Sequence, residues 1–371
     1  MFADRSTLAA SPARELALDC LAAGIEAARP ARAVERHCEL EDGTLRVRDA
    51  EYDLSAYDDV LVLGGGKAAD ADALVLAAVT GGGSALLCAP AGDLSADDLA
   101  TVTAALLAAG APVDEVNVVR RACSDVKGGG LAAAAAPATV VGLLVSDVVG
   151  DDPAVVASGP TVPKRVDPAA ALAVLDRYDV EATAVRERLR TATPEPAPDV
   201  AVETHVVASG RDAVDAAGEV AAERGHEPCL LSTRIEGEAS EVGRVHAAVA
   251  AEVTATGAPV DPPAVLLSGG ETTVTVDGDG TGGPNLEFAV GAGVDLPDGV
   301  VLAAVDTDGR DGATDAAGAI VDDIEDETAA RAALADNDSY RFLDERDALL
   351  RTGATGTNVN DLRVVVIGKR V

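Results

Sequence analysis

The sequence predicts an α/β protein with two domains, and three observations indicate this fold. The chain has 371 residues, more than one hydrophobic core usually serves. Hydrophobic residues make up 48% of the chain, which is typical of a globular protein and not of a disordered one. Short apolar runs of strand length alternate with helical patterns, as they do in parallel α/β proteins.

The amino-terminal elements follow from local patterns. Ala, Leu and Glu at helical spacing predict one long helix over residues 8–31, with a stop at Pro30. A hairpin is predicted around residues 41–43, and the apolar run at 60–63 predicts a short buried strand. Further helices and strands are expected to alternate at 97–109, 139–145, 168–177, 201–208, 211–224 and 229–232.

Two proline-bearing segments, at 193–199 and 259–263, are candidate linkers. We place the domain boundary at the second, so that residues 1–257 form the amino-terminal domain and 258–371 the carboxy-terminal domain. In the carboxy-terminal domain, strands are expected at 265–267, 272–276, 300–305 and 363–367.

The charge of the chain excludes some partners. There are 63 acidic against 29 basic residues, for a formal net charge of −34, and only four residues are lysine. Such a chain is a poor partner for nucleic acid. Because the carboxylates are spread over the whole chain and salt screens their repulsion, we interpret the surface as halophilic. No secretion signal or membrane span is recognised, so a cytoplasmic protein without a membrane partner is expected.

Glycine-containing loops are predicted after apolar strands, where open α/β sheets bind their ligands. Glycine lets backbone amides approach an anion closely, so several such loops together indicate phosphate handling, although a single one is more often only a tight turn. The loops are Gly64-Gly65-Gly66-Lys67, Thr80-Gly81-Gly82-Gly83-Ser84, Ser268-Gly269-Gly270-Glu271, Gly278 to Gly283, Thr307-Asp308-Gly309 and Thr352 to Asn358.

The first of these loops also fits the dinucleotide pattern G-x-G-x-x-A over residues 64–69. That pattern expects an acidic residue roughly 20 positions further on to bind the ribose. Residues 81–86 contain no carboxylate, and a Walker-type phosphate loop is absent from the sequence. These observations argue against a nicotinamide-dependent enzyme and against an ordinary P-loop kinase.

Taken in order, these segments resemble the glycerate 2-kinase family, whose carboxy-terminal part is known as the MOFRL domain. The resemblance covers nearly the whole chain. It rests on residues 64–69, 81–87, 115–120, 127–129, 146–152, 157–161, 268–274, 306–322, 337–340 and 352–361.

The resemblance implies two α/β/α domains, a larger Rossmann-like amino-terminal one and a smaller carboxy-terminal one, with the active site in a cleft between them. It implies ATP-dependent, Mg²⁺-requiring phosphorylation of D-glycerate at its 2-hydroxyl. The expected partners are D-glycerate and ATP, and a homodimer is left open. Two alternatives also stay open. One is a hydroxypyruvate reductase, and the other is a catalytically degenerate paralogue that keeps the fold.

The resemblance also implies roles for individual residues. Lys67 would neutralise the transferring phosphoryl group or the substrate carboxylate. Asp147 would orient or deprotonate the substrate hydroxyl or hold Mg²⁺, with a helix N-cap as its alternative. The nucleotide-binding candidates are Gly64, Gly65, Gly66, Gly82, Gly83, Ser84, Gly269, Gly270 and Glu271. The substrate candidates are Arg120, Lys127, Asn285, Asp308, Arg310 and Asn358, and the metal candidates are Asp151 and Asp311.

Several of these candidates have a structural alternative. An ion pair with Glu115 or Asp125 would occupy Arg120, capping of turns would explain Asp308 and Asp311, and a contact between the domains would explain Asn358. The side chains of these residues suit both the functional and the structural role.

The sequence departs from the family in two places. Pro284 stands where family members carry an arginine, and we hypothesise that Arg310 or Arg121 replaces it. The family also has a further βα stretch between the first two glycine loops, whereas Lys67 and Gly81 are only 14 positions apart here. A parallel crossover alone needs about a dozen residues, so we expect a shortened domain.

Overall fold

A computed structural model describes residues 1–63, 73–194, 196–322 and 324–369. The chain forms two compact units, and the predicted α/β fold is confirmed. One unit is Val34–Val207, and the other combines Met1–Ala33 with Ala208–Val371. Among the described residues, no helix combines the length and the apolar character that crossing a membrane requires.

The strands of the described residues are β1 (Cys38–Glu41), β2 (Thr44–Val47), β3 (Ala50–Asp53), β4 (Asp59–Leu63), β5 (Ala73–Val79), β6 (Thr139–Val145), β7 (Val202–Ala208), β8 (Glu227–Glu238), β9 (Ala264–Thr273), β10 (Val301–Asp306), β11 (Gly318–Val321), β12 (Leu349–Leu350) and β13 (Asp361–Ile367).

The helices are α1 (Arg5–Leu8), α2 (Pro12–Ala27), α3 (Pro30–His37), α4 (Gly83–Leu86), α5 (Ala96–Ala108), α6 (Val113–Ala122), α7 (Gly130–Ala135), α8 (Pro168–Arg177), α9 (Thr183–Thr191), α10 (Gly210–Glu223), α11 (Ala239–Thr256), α12 (Pro284–Gly293), α13 (Glu327–Ala335) and α14 (Ser339–Asp344). Two single-turn 3-10 helices lie at Leu54–Ala56 and Val156–Ser158.

The unit formed by residues 34–207 contains two sheets. The first, β1-β2-β3, is antiparallel, and its predicted hairpin is confirmed because Asp42 and Gly43 both adopt positive φ between β1 and β2. The second has the order β4-β5-β6-β7, in which β4, β5 and β6 run parallel. Parallel strands end at one edge of a sheet, so the segments that follow β5 and β6 are neighbours.

The other unit has one six-stranded sheet of order β12-β11-β10-β13-β9-β8, in which the β8–β9 pair is parallel and the other pairs are antiparallel. Helix α2 packs beside β13, where the space at Gly24 is bounded by Leu362. Val365, three residues along the same strand, belongs to the core beneath α11 and α12. Residues an odd number apart point to opposite faces of a strand, so helices cover both faces of this sheet.

The compact units divide the chain differently from the predicted boundary between residues 257 and 258. Strand β8, which precedes that boundary, pairs with β9, which follows it. Helices α10 and α11 pack against this same sheet. The proline-bearing segment at 259–263 therefore connects a helix to a strand within one unit.

Two predicted elements are wrong. Residues 8–31 do not form one helix, because the Ser11 side chain caps a new helix at Pro12 and another helix starts at Pro30. Residues 268–271 are not a loop but part of β9. Gly270 has φ +127°, and a Cβ there would overlap with the Ile235 carbonyl of β8, so this glycine permits a close approach of two strands.

The predicted loss of a βα stretch between Lys67 and Gly81 stays a prediction. Strand β5 fills residues 73–79. Residues 64–72, which hold the first glycine loop, lie outside the part of the chain that the structure describes.

Glycines set the distance between α11 and α12. A Cβ at Gly243 would overlap with the Phe288 carbonyl, so we expect Gly243→Ala to lower the free energy of unfolding by about 1–3 kcal/mol through overpacking. Urea unfolding at fixed salt measures this loss. Gly218→Ala in α10 is the matched control, because a Cβ there lies 3.3 Å from its nearest neighbour, Leu267 Cδ1. Equal losses in both variants would contradict the packing argument.

Candidate active site

Asp147 and the glycine loop at residues 80–84 lie together at the carboxyl edge of the parallel sheet. Val79 at the end of β5 pairs with Leu144 near the end of β6, which brings the two following segments side by side. Asp147 Oδ2 accepts a hydrogen bond of 2.7 Å from the Gly82 amide. A Cβ at Gly81 would lie 2.7 Å from Asp147 Cβ, so the loop fits closely around this half-buried carboxylate.

Lys127 binds the backbone of the same loop. Its side chain is 4% exposed, and Nζ donates to the carbonyls of Ser84 at 2.9 Å, Gly83 at 3.3 Å and Ala157 at 3.5 Å. Burial, reinforced by the charge of Arg120, lowers the pKa of Lys127 to about 8. An ammonium group has three donors, and these carbonyls use all of them. Through these contacts Lys127 positions the loop, while its predicted role as a substrate ligand stays a prediction.

A chain of polar side chains runs from the glycine loop to α6. The Ser84 and Ser158 hydroxyls are 3.0 Å apart, and Ser158 Oγ donates to Asn117 Oδ1 at 2.9 Å. Arg120 Nη1 donates to the same Asn117 oxygen at 3.3 Å. Sequence reasoning assigned no role to Asn117 or Ser158. The sequence did offer one indication for Asn117. It lies three residues before Arg120, so the two side chains share a face of the helix.

Within the described residues, Arg120 forms neither of the ion pairs proposed as its alternative. Its guanidinium bonds Asn117, while the Glu115 carboxylate pairs with Arg177. Burial lowers the pKa of Arg120. A half-buried guanidinium without a carboxylate in its hydrogen-bond shell is suited to binding an anion.

A cavity of about 590 Å³ adjoins this polar chain. Its polar lining includes Ser84, Arg120 and Lys127 together with Asp97 and Thr103, and its other walls are largely apolar side chains from α4, α5 and α6. The apolar lining includes Leu86, Leu99, Val102, Leu107 and Val119. Such a volume, with a mostly apolar lining and a few polar groups, is typical of a small-molecule site.

The remaining candidates of this unit are less constrained. Gly64, Gly65, Gly66 and Lys67 lie outside the described residues. Asp151 is half-buried in the loop after Asp147 and has φ +60°. Within the described ranges, no group of three or more His, Cys, Asp or Glu side chains is arranged to hold a metal ion.

A second polar cluster lies at the start of α12 in the other unit. Asp311 Oδ1 accepts from the Asn285 amide at 2.9 Å and from Asn285 Nδ2 at 3.2 Å, and Oδ2 accepts from the Leu286 amide at 2.9 Å. Burial raises the pKa of Asp311 to about 7. The carboxylate is 1% exposed and its contacts cap the start of the helix, as its structural alternative expected, while the predicted binding of metal stays a prediction.

Arg363 anchors this cluster from β13, and sequence reasoning missed it. Its side chain is fully buried and bonds Asp361 and Thr272 Oγ1, while Asn285 Nδ2 donates to the other oxygen of Asp361 at 2.7 Å. The signal in the sequence was an arginine inside the apolar strand at 362–367. A charge in such a place is buried with a partner.

The other predicted residues of this unit make local contacts. Asp308 Oδ1 accepts from the Arg310 amide at 2.7 Å, and Asn358 Oδ1 accepts from the Asn360 amide at 2.9 Å, so both side chains cap turns. Arg310 is exposed and its Nε donates to the Thr314 carbonyl at 3.2 Å. Gly269, Gly270 and Glu271 pair with neighbouring strands as part of β9.

Comparison with known proteins gives consistent matches over both units. A family described as a domain of unknown function, DUF4147, matches residues 16–73 and 68–192, and the MOFRL family matches residues 264–361. The D-glycerate 2-kinase of Thermotoga maritima is 41% identical over 79% of this chain and 72% of its own. A protein of Agrobacterium vitis, provisionally named hydroxypyruvate reductase, is 40% identical over 88% and 89%. The crystal structure of the Thermotoga maritima glycerate kinase superposes with a TM-score of 0.80 at 32% identity, over 95% of this chain and 99% of that one.

His246 is expected to limit stability in acid. It bonds the Val242 carbonyl and Ser268 Oγ, each at 2.8 Å, and burial lowers its pKa to about 4. The unfolded chain titrates its histidine near pH 6.5 and so binds more protons between pH 6.5 and 4. This histidine should therefore cost about 2–3 kcal/mol of stability between pH 7 and 4.5.

Urea unfolding of the protein and of His246→Gln at the two pH values measures this cost. The variant should lose less stability on acidification than the unchanged chain. His226→Gln, nearer the surface, is the control. Parallel pH profiles for all three proteins would rule out the assigned role of His246.

Proposed function

Because the chain belongs to the glycerate kinase family, we propose that it phosphorylates D-glycerate at the 2-hydroxyl, with ATP as donor and 2-phosphoglycerate and ADP as products. The observation that carries the proposal is the carboxylate of Asp147, held by the glycine loop whose Ser84 lines a cavity together with Arg120. A fixed carboxylate, together with a guanidinium group in the cavity that the same loop lines, would supply what phosphoryl transfer needs from a protein, namely positioning and charge stabilisation.

Asp147 acts as the general base in this proposal. Its Oδ2 is held by Gly82, which leaves Oδ1 to accept the proton of the substrate 2-hydroxyl. The hydroxyl oxygen then forms a bond to the γ-phosphorus of ATP while the bond between that phosphorus and the bridging oxygen breaks. ADP leaves with the electron pair of that bond.

ATP is proposed to occupy the 590 Å³ cavity. Leu99, Leu107 and Val119 offer apolar surface to the base, and Arg120 and Ser84 offer donors to the phosphates. Lys67 completes the proposal as a second cation on the transferring group, on the strength of the family resemblance.

Mg²⁺ fits this arrangement without a protein cage. The ion usually binds substrate phosphates with one or two carboxylates, and Asp147 and Asp151 could supply these. When bound, it would neutralise charge on the phosphates. This is consistent with the described residues, which form no group of three ligands.

A reductase is the second candidate, favoured by the name of the Agrobacterium vitis relative. Dinucleotide-binding sheets place an acidic residue at the end of the second strand to hold the ribose. Here β5 ends at Val79 and continues into Thr80-Gly81-Gly82, with no carboxylate. The kinase proposal is therefore preferred. The hydrogen bonds that Asp147 accepts and that Ser84 and Lys127 form likewise support an active enzyme over a degenerate paralogue.

The salt requirement is a further part of the proposal. With a formal net charge of −34, the chain repels itself in dilute buffer, and added salt screens that repulsion. We therefore propose that activity needs high salt, so activity should be measured in concentrated potassium chloride.

Asp147→Asn should lower kcat for ATP-dependent phosphorylation of D-glycerate by about 10²–10⁴, the usual contribution of a general base. The amide keeps the shape of the side chain but does not accept a proton. Coupled ADP release measures the rate, and far-ultraviolet circular dichroism checks the fold. Asp93→Asn, at an exposed position, is the matched control. Unchanged kcat in Asp147→Asn would refute the assigned role.

Kinase activity should fall as the pH rises through about 8, where Lys127 loses its proton. A neutral amine has two donors for three carbonyls, so the loop at residues 83–84 loses a contact. Stability should not fall with activity. The unfolded lysine titrates near pH 10.4, so the unfolded chain binds more protons above pH 8, and this group adds stability as the pH rises.

The pH dependence of kcat/KM separates Lys127 from other groups. Lys127→Arg keeps its charge to higher pH and should move the alkaline limb upward, whatever its absolute rate. Lys164→Arg, at an exposed position, should leave the limb in place. A limb that stays at the same pH in Lys127→Arg would assign it to another group.

A further inference from the structure

A second cavity, which we call the basic cavity, shares Lys127 with the first and has a volume of about 360 Å³. Its charged and polar lining comes from α6, α9 and the loops between residues 124 and 164. The residues that matter here are Arg121, Ser124, Asp125, Gly128, Lys164 and Arg188. Arg120 and Arg121 are consecutive on α6, and they line different cavities.

Besides Lys127, whose donors bind backbone carbonyls, three positive side chains line this cavity in a chain of net charge −34: those of Arg121, Lys164 and Arg188. Over the described residues, none of the three forms an ion pair. Arg186, two residues before Arg188 on α9, shows the contrast, because it pairs with Asp176 at 2.5 Å. The described lining residues include one acidic residue, Asp125, so the basic residues outnumber it and this lining carries a net positive charge.

The guanidinium of Arg188 lies partly buried next to Gly92. Its Nε is buried and has no hydrogen-bond partner among the residues described. A Cβ at Gly92, which has φ +62°, would lie 3.0 Å from that nitrogen, so glycine leaves room for the guanidinium. Burial lowers the pKa of Arg121, and the nearby charge of Asp152 offsets this in part. Half-buried cations without partners are costly, and a bound anion would remove that cost.

We propose that the basic cavity binds a small oxyanion of the phosphate class that carries two or more negative charges. Guanidinium groups match phosphate oxygens with paired hydrogen bonds, and three cations balance a dianion or trianion. A single carboxylate would neutralise one of the three. The volume is near the lower end of the range of about 300–1,000 Å³ for ligand sites, which suits pyrophosphate or a phosphomonoester better than a nucleotide.

Titration calorimetry at one fixed ionic strength tests the proposal with three probes: inorganic phosphate, pyrophosphate and 2-phosphoglycerate. The preferred probe distinguishes an inorganic anion from a phosphorylated metabolite. Arg188→Gln and Lys164→Gln should each weaken its binding at least tenfold. Arg190→Gln, on the same helix, and Arg165→Gln, next in sequence, remove the same charge from positions outside the cavity lining and should change binding less than twofold.

Kinetics separates this site from the proposed kinase site. In Arg188→Gln and Lys164→Gln, the KM values for ATP and D-glycerate should stay within twofold of the unchanged protein. Absence of saturable binding, or equal weakening in the two control variants, would overturn the proposal. A rise in KM parallel to the loss of binding would also overturn it, because the cavity would then belong to the reaction site. Binding is read without turnover, so a failure of the kinase proposal leaves this test intact.

Discussion

The site in residues 34–207 depends on one buried ammonium group. Lys127 joins the carbonyls of Gly83 and Ser84, after β5, to that of Ala157, after β6. This contact fixes the glycine loop whose Gly82 amide holds Asp147, and it fixes Ser84 for its bond to Ser158. A buried lysine without a carboxylate is unusual, and carbonyl oxygens satisfy it because they accept all three of its donors. The catalytic arrangement therefore follows from backbone geometry more than from pairs of charges.

The other unit also contains a buried cation, but there a carboxylate binds it. Arg363, buried in β13, pairs with Asp361, which binds Asn285, which in turn binds Asp311 at the start of α12. Pro284 is the first residue of that helix, a position that proline favours, so the helix begins well without the family arginine. The replacement of that arginine by Arg310 or Arg121 stays a prediction. Arg310 is exposed, Arg121 lines the basic cavity, and Arg120 lines the other cavity together with Ser84.

Local patterns predicted local structure well. Strand β6 at 139–145 and helix α8 at 168–177 match their predicted bounds, because an apolar run and an N-terminal proline mark them clearly. Features that depend on distant partners were missed. Ser158 and Asn117 are 41 positions apart, and Gly270 is glycine because of Ile235 in another strand. The sequence identified four residues of this site individually, namely Asp147, Ser84, Arg120 and Lys127. It did not show that Lys127 donates its hydrogen bonds to backbone carbonyls.

The central claim is that this arrangement transfers a phosphoryl group to D-glycerate. Phosphorus-31 magnetic resonance of D-glycerate, ATP and Mg²⁺ with the protein in concentrated potassium chloride tests it most directly. The account predicts ADP and an equal amount of a phosphomonoester, with coupling that places the phosphate on carbon 2. Unconsumed ATP under these conditions, together with NADH-dependent reduction of hydroxypyruvate, would contradict it.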